Sequence, residues 1–145
     1  MNEITKSGGL EMVAIASSFN KWNKQKKMLH FSEKSPLFSE NEVWWCGVGE
    51  NVGVEINGKN QRFSRPVYVY KKLSRHSFLG IPMTSKYKSG SWYVTVPFKG
   101  KNSTAVLSQI RIISARRLYE RMGELDEVDS EKIDAGFREL YIKQK

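Results

Sequence analysis

A chain of 145 residues with four Trp, seven Phe and six Tyr suffices for one domain with a real apolar core plus an appendage, and is too short for several domains. One cysteine, Cys46, excludes an internal disulfide, and no apolar run approaches the roughly 20 residues that a bilayer span needs. The opening Met1-Asn2-Glu3-Ile4-Thr5-Lys6 lacks the charged-then-apolar order of a signal peptide, so a soluble cytoplasmic protein without membrane contact is expected.

In chain order, residues 1–40 read as an N-terminal extension with a short amphipathic helix. Ser17 or Ser18 is placed to cap a helix from about Phe19 to Leu29, with Phe19, Trp22 and Leu29 along one side. Lys21, Lys24, Lys26 and Lys27 crowd the rest of its surface. The short stripe suits docking on the main domain and docking on a partner alike. Lys34-Ser35-Pro36 reads as a linker, because Pro36 cannot continue a helix.

The folded domain is expected over residues 41–145. Val43 to Val48 is an apolar run of strand length, with Trp44 and Trp45 on opposite faces. Gly49 to Ser64, rich in Gly and Asn, reads as a long loop, a kind of segment that often carries function. Val67 and Val69 alternate with Tyr68 and Tyr70, the period-2 pattern of a half-buried strand, and Leu79, Ile81 and Met83 repeat it after a polar connection. These two strands form an antiparallel hairpin. Arg65 opens the first strand and Thr84, Ser85 and Lys86 close the second, so a guanidinium and a hydroxyl meet at one end, a pair suited to a phosphate or other oxyanion.

Trp92 to Phe98 gives another alternating strand, with Pro97 near an edge or an end. Thr104 to Ile113 reads as a further strand in which Gln109 and Arg111 project together. Ser114 is expected to cap a short helix to about Met122, ended by Gly123, with Arg116 and Arg117 opposing its dipole. Asp126 caps a second helix whose apolar stripe is Ile133, Phe137, Leu140 and Tyr141. Five short strands followed by helices predict a mainly β fold, a small antiparallel barrel closed by a C-terminal helix.

The net charge of +9 is unevenly spread: from Lys59 to Arg121, fourteen Lys and Arg stand against one acid, Glu120. Such a surface with interspersed Tyr and Trp suits a polyanion, because cations neutralise phosphates and aromatic faces stack on unpaired bases. Cys46, inside an apolar run, reads as a buried thiol rather than a nucleophile. The widely separated His30 and His76 form no metal-ligand cluster with it, and no Gly-rich phosphate loop followed by Lys and Ser or Thr is present.

Five pieces in one order then resemble a known family: Val43-Trp44-Trp45-Cys46 leading through Gly53-Val54-Glu55 to Arg65-Pro66-Val67-Tyr68-Val69, Ile81-Pro82-Met83-Thr84-Ser85-Lys86, Leu107-Ser108-Gln109-Ile110-Arg111, Arg117-Leu118, and Gly123-Glu124-Leu125-Asp126. The string is similar to the PemK/MazF toxin endoribonucleases over roughly residues 41–142. The resemblance implies an SH3-like β-barrel with a C-terminal helix, a homodimer, single-stranded RNA cut at a short sequence without metal or other cofactor, and a cognate antitoxin that blocks the groove.

Carried across by motif, Arg65 of the Arg-Pro pair and Thr84 of Pro-x-Thr are the implied catalytic residues. Glu55, Ser85 and Gln109 are supporting, with Glu55 the family's loop acid, as site organiser or proton acceptor. Lys59, Arg62, Arg75, His76, Lys86, Lys88 and Arg111 are the expected RNA-binding set. Two departures stand out: the appendage before residue 41 and the extended Asn57–Ser64 segment. Two other readings use the same barrel: a CcdB-like toxin that binds gyrase, and a catalytically silent RNA-binding domain.

Overall fold

The computed structural model describes residues 3–143, with side chains from residue 9 onward. Seven strands and two helices follow the order α1 (Glu3–Phe31), β1 (Glu42–Gly47), β2 (Ser64–Ser74), β3 (Ser77–Thr84), β4 (Tyr93–Phe98), β5 (Lys101–Val106), β6 (Arg111–Ser114), β7 (Leu118–Glu124) and α2 (Glu127–Tyr141). All pairings are antiparallel, in the spatial order β4-β5-β3-β2-β1-β7, with β6 also on β3. The sheet is bent, and its two outermost strands approach one another, since Gly123 of β7 lies under the ring of Phe98 of β4. This is the expected mainly antiparallel β fold with helices at both ends. No described helix is long and apolar enough to cross a membrane.

The central strands are covered on both faces, not one. Val67 and Val69 enter one core with Trp44, Cys46, Phe78 and Ile113. Tyr68 enters a second core with Val43, Ile81, Leu107 and Ile133 of α2. Alternation along β2 therefore sorts two kinds of apolar residue between two buried layers, instead of sorting core from solvent. Of the adjacent tryptophans, Trp44 is buried and Trp45 half-buried.

Four local expectations are corrected. First, α1 is 29 residues long, not a short helix capped at Ser17 or Ser18; the Glu11–Ala16 stretch is mostly good helix former and carries it through. Second, the stretch just before residue 41 is packed into the domain and is not all extension. Phe38 is 3% exposed in the first core, and Asn41, at φ 74, is tied to β2 through the bond from its N–H to the Val69 carbonyl, 2.8 Å, and through its side chain to the Tyr68 hydroxyl, 2.7 Å.

Third, the strand expected from Thr104 to Ile113 is interrupted by a 3-10 turn at Leu107–Gln109. β5 and β6 pair with different parts of β3, Met83–Thr84 and Ser77–Gly80, and the turn carries the chain from one half of the bent sheet to the other. Fourth, Ser114 accepts from the Arg116 N–H but caps only a 3-10 turn, Ala115–Arg117, and Leu118–Glu124 is β7 rather than a helix. The free edge of β1 is filled this way, Trp44 opposite Arg121 and Trp45 opposite Glu120. Tertiary pairing thus overrides the local helical reading, and Arg116 and Arg117 oppose no helix dipole.

At the C-terminus, Asp126 accepts from the Asp129 N–H at 2.8 Å and caps α2 as expected. Ile133 is fully buried under the sheet, Phe137 packs on Tyr70 with ring centroids 4.8 Å apart, and Tyr141 remains 43% exposed.

Candidate active site

Arg65 is the second residue of β2 and Thr84 the last of β3. Val67 opposite Pro82 sets the register, and it brings the two to the same end of the hairpin, as the alternation required. Both line a cleft of about 290 Å³, along with Lys59, Lys86, Lys88 and Tyr93. No acid lines it.

The Arg65 guanidinium is held by backbone. Its Nε donates to the Asn57 carbonyl at 2.8 Å and its Nη1 to the Met83 carbonyl at 3.4 Å, and no carboxylate pairs with it among the described residues. Burial pulls its pKa below the ordinary arginine value; it remains a cation at neutral pH. Thr84 is 8% exposed, and its Oγ1 accepts from the Lys86 N–H at 3.2 Å, which leaves the hydroxyl hydrogen for a ligand oxygen. Charge and directed donors in a partly dry cleft suit a phosphate whose charge grows during reaction.

Gln109 forms a wall. Its Oε1 accepts from the Ile56 N–H and its Nε2 donates to the Val54 carbonyl, both at 3.0 Å. One amide thus clamps the backbone on either side of Glu55. Behind it, Glu55 and Arg111 line a second cleft of about 300 Å³ that shares Ile56 and Gln109 with the first. Glu55 accepts from the Val52 N–H at 3.0 Å. The 3-10 turn that broke the expected strand is what carries Gln109 to the loop, so Gln109 and Arg111 share this second cleft without sharing a strand.

Other expected residues lie elsewhere. Ser85 is exposed in the turn after Thr84 and outside the cleft lining. The Arg62 guanidinium stacks 4.0 Å over the Tyr119 ring. Arg75 and His76 sit in the turn at the far end of the hairpin, about 30 Å from Arg65 by the rise of an extended strand. There Arg75 donates to the Ser35 and Pro36 carbonyls, and His76 Nδ1 shares a hydrogen with Ser35 Oγ at 3.0 Å. They tie down the connection after α1 and do not join the cleft.

Tyr93 of the lining and Asn57 behind Arg65 had no functional reading from sequence. Tyr93, expected only as a strand residue, is half-buried in the lining with Lys88 Nζ 5.8 Å from its ring centroid. Its position after a basic turn was the available signal. Asn57, which anchors Arg65, had none, because its contribution is a carbonyl.

Residues 39–141 match the family model of the PemK-like, MazF-like toxins of type II toxin-antitoxin systems. The chain belongs to that family. Solved PemK/MazF-like structures share its fold: MazF from Deinococcus radiodurans superposes with a TM-score of 0.59 at 20% identity, covering 72% of this chain and 96% of that one. An endoribonuclease in complex with its cognate antitoxin, from a mycobacterial species, gives 0.57 at 15% identity, with 76% and 99% covered. The Mycobacterium tuberculosis toxin MazF-mt6 gives 0.54 at 11% identity, with 72% and 99% covered. No curated protein matches the chain. Residues 1–38, with all of α1, lie outside the PemK/MazF match.

Proposed function

We propose that this PemK/MazF-like toxin is a sequence-specific, metal-independent endoribonuclease acting on single-stranded RNA in the cytoplasm, as a homodimer restrained by a cognate antitoxin. The observation that supports it is the meeting of Arg65 and Thr84 in one cleft with three lysines and, among the described residues, no acid.

In this reading the RNA's own 2′-hydroxyl attacks the adjacent phosphorus, the bond to the 5′-oxygen breaks, one proton passes net from the 2′-oxygen to the leaving 5′-oxygen, and the products are a 2′,3′-cyclic phosphate and a 5′-hydroxyl. Arg65 stabilises the crowded phosphorane, and the Thr84 hydroxyl donates to a non-bridging oxygen. Lys59, Lys86 and Lys88 hold the phosphates, and Tyr93 offers a face for a neighbouring base. Glu55 organises the loop behind Gln109, with its carboxylate on the Val52 N–H. Ser85, Arg62 and Arg111, which lie outside the cleft lining, serve the outer path of the RNA, and Arg75 and His76, at the far end of the hairpin, lie too far away to join it.

The test is incubation of the purified protein with a long single-stranded RNA in EDTA, mapping the cut ends and assaying for cyclic phosphate. Cuts at one short sequence that fall by about 100- to 1000-fold in Arg65→Ala or Thr84→Ala are expected. Intact RNA with folded, antitoxin-free protein sinks the proposal and favours the gyrase-binding or silent RNA-binding readings.

A further inference from the structure

We infer that α1, which the family match omits, is a working part of the site: Trp22 is a positioning residue that braces the loop holding Arg65. The inference rests on the ribonuclease reading for its catalytic consequence only.

Residues 9–17 of α1 are exposed all round, and the helix meets the domain through Ser18, Trp22, Gln25 and Leu29, a spacing of one helical stripe. Trp22 is the buried residue among them, at 6% exposure. Its indole occupies the space beside Gly49: a Cβ built there would fall 2.1 Å from Trp22 Cε2, at a backbone φ of +87. Gly49 therefore exists in this form to admit the indole and the left-handed turn together.

The same indole packs on Phe63, centroids 5.6 Å apart, and lies 5.6 Å from the Arg117 guanidinium. Phe63 itself has φ 52, a backbone that a bulky L side chain adopts only when its surroundings hold it there. Its carbonyl accepts from the Val48 and Gly49 N–H groups at 3.0 and 3.1 Å. Trp22 thus clamps both ends of the 49–63 loop, and Ser18 Oγ adds a bond to Glu50 Oε1 at 2.8 Å.

From there the path to Arg65 is short. The Gly58 N–H donates to the Gly49 carbonyl at 2.8 Å, the Asn51 N–H donates to Asn57 Oδ1 at 2.6 Å, and the Asn57 carbonyl receives Arg65 Nε. Withdrawing the indole frees Gly49 and Phe63 and, through them, the carbonyl that aims the guanidinium. The far side of the loop is held separately by Gln109, so the loss is local.

The experiment compares full-length wild type, Trp22→Ala, Trp22→Phe, Ser18→Ala and Arg65→Ala by hydrogen exchange and by RNA-cleavage kinetics. In Trp22→Ala the amides of Asn51 and Gly58 are expected to exchange about tenfold faster or more while those of β2 and β3 keep their protection. Its kcat falls with little change in KM, because the lysines still bind RNA, and Trp22→Phe restores much of both. Ser18→Ala, which removes no apolar surface, gives the smaller effect in the same amides and serves if Trp22→Ala unfolds. Loop exchange unchanged in Trp22→Ala and Ser18→Ala overturns the brace. Faster loop exchange, with Arg65→Ala cleaving as wild type, keeps the brace and overturns the site assignment instead.

Discussion

Arg65 and Asn57 are joined through a side-chain N–H and a backbone carbonyl at 2.8 Å, so the guanidinium of β2 and the loop before it move as one unit. A carboxylate partner would have cancelled part of the charge. A carbonyl anchors the group and leaves its full positive charge facing the cleft.

Replacing Arg65 by Lys keeps the charge and removes the fork. An ammonium cannot hold the Asn57 carbonyl and present a second donor to the phosphate in a fixed direction. Arg65→Lys is expected to cleave about 100-fold more slowly, by single-turnover assay on a short RNA, with thermal stability close to wild type. Near-normal cleavage would mean that charge alone suffices.

Gln109→Leu removes two loop bonds from a residue of similar size. With a net contribution of about 1 kcal/mol for each such bond, the variant should lose about 2 kcal/mol in urea unfolding and lose cleavage in addition. A stability loss without any change in cleavage would show that the loop's position is immaterial to the site.

The lysines of the cleft and the basic residues of the far turn should separate by salt dependence. On the ribonuclease reading, Lys86→Ala or Lys88→Ala should remove one phosphate contact and lower the slope of log affinity against log salt for single-stranded RNA by about 0.7. Arg75→Ala, whose side chain is engaged with the Ser35 and Pro36 carbonyls, should leave the slope as it is. Equal effects from both ends would point to a diffuse basic surface rather than a cleft.

Glu42 gives a pH dependence with a definite sign. Burial pushes its carboxyl pKa up, but hydrogen bonds from Arg121 Nε, the Ser39 N–H and Trp44 Nε1 outweigh this and leave it below the ordinary 4.5. Its contribution to stability is therefore present above that value and lost as pH falls through the lower folded one. Glu42→Gln should cost about 2 kcal/mol near neutrality, from hydrogen bonds to a charged group, and the gap to wild type should close as the pH drops well below 4.5. A gap of the same size at pH 7 and at low pH would exclude the carboxylate charge as its origin.

The Cys46 thiol was legible from sequence alone: an apolar run around one cysteine buries it. In the structure burial pushes its pKa up to about 12, against the lowering effect of Arg117 and Arg111. The β2–β3 hairpin was equally legible, since Val67 and Val69 and then Leu79, Ile81 and Met83 recur at every second position on either side of a short polar connection, although the pairing itself carries two register shifts. So were the Asp126 cap and the turn into α2.

What the sequence by itself determined is what is set by neighbours along the chain: the alternation of β2 and β3 and the short connection between them, hence the meeting of Arg65 with Thr84, the Asp126 cap, and the family signature in order. Tertiary structure decided the rest. β7 is a strand because the edge of β1 needs a partner. Gln109 serves the loop because β3 is shared between two halves of a bent sheet, and Lys59 belongs to the cleft while Arg75 does not because β2 is eleven residues long. Trp22 matters because a glycine 27 positions away leaves room for it. Each of these depends on which surfaces are brought together by folding, and local periodicity carries no record of that.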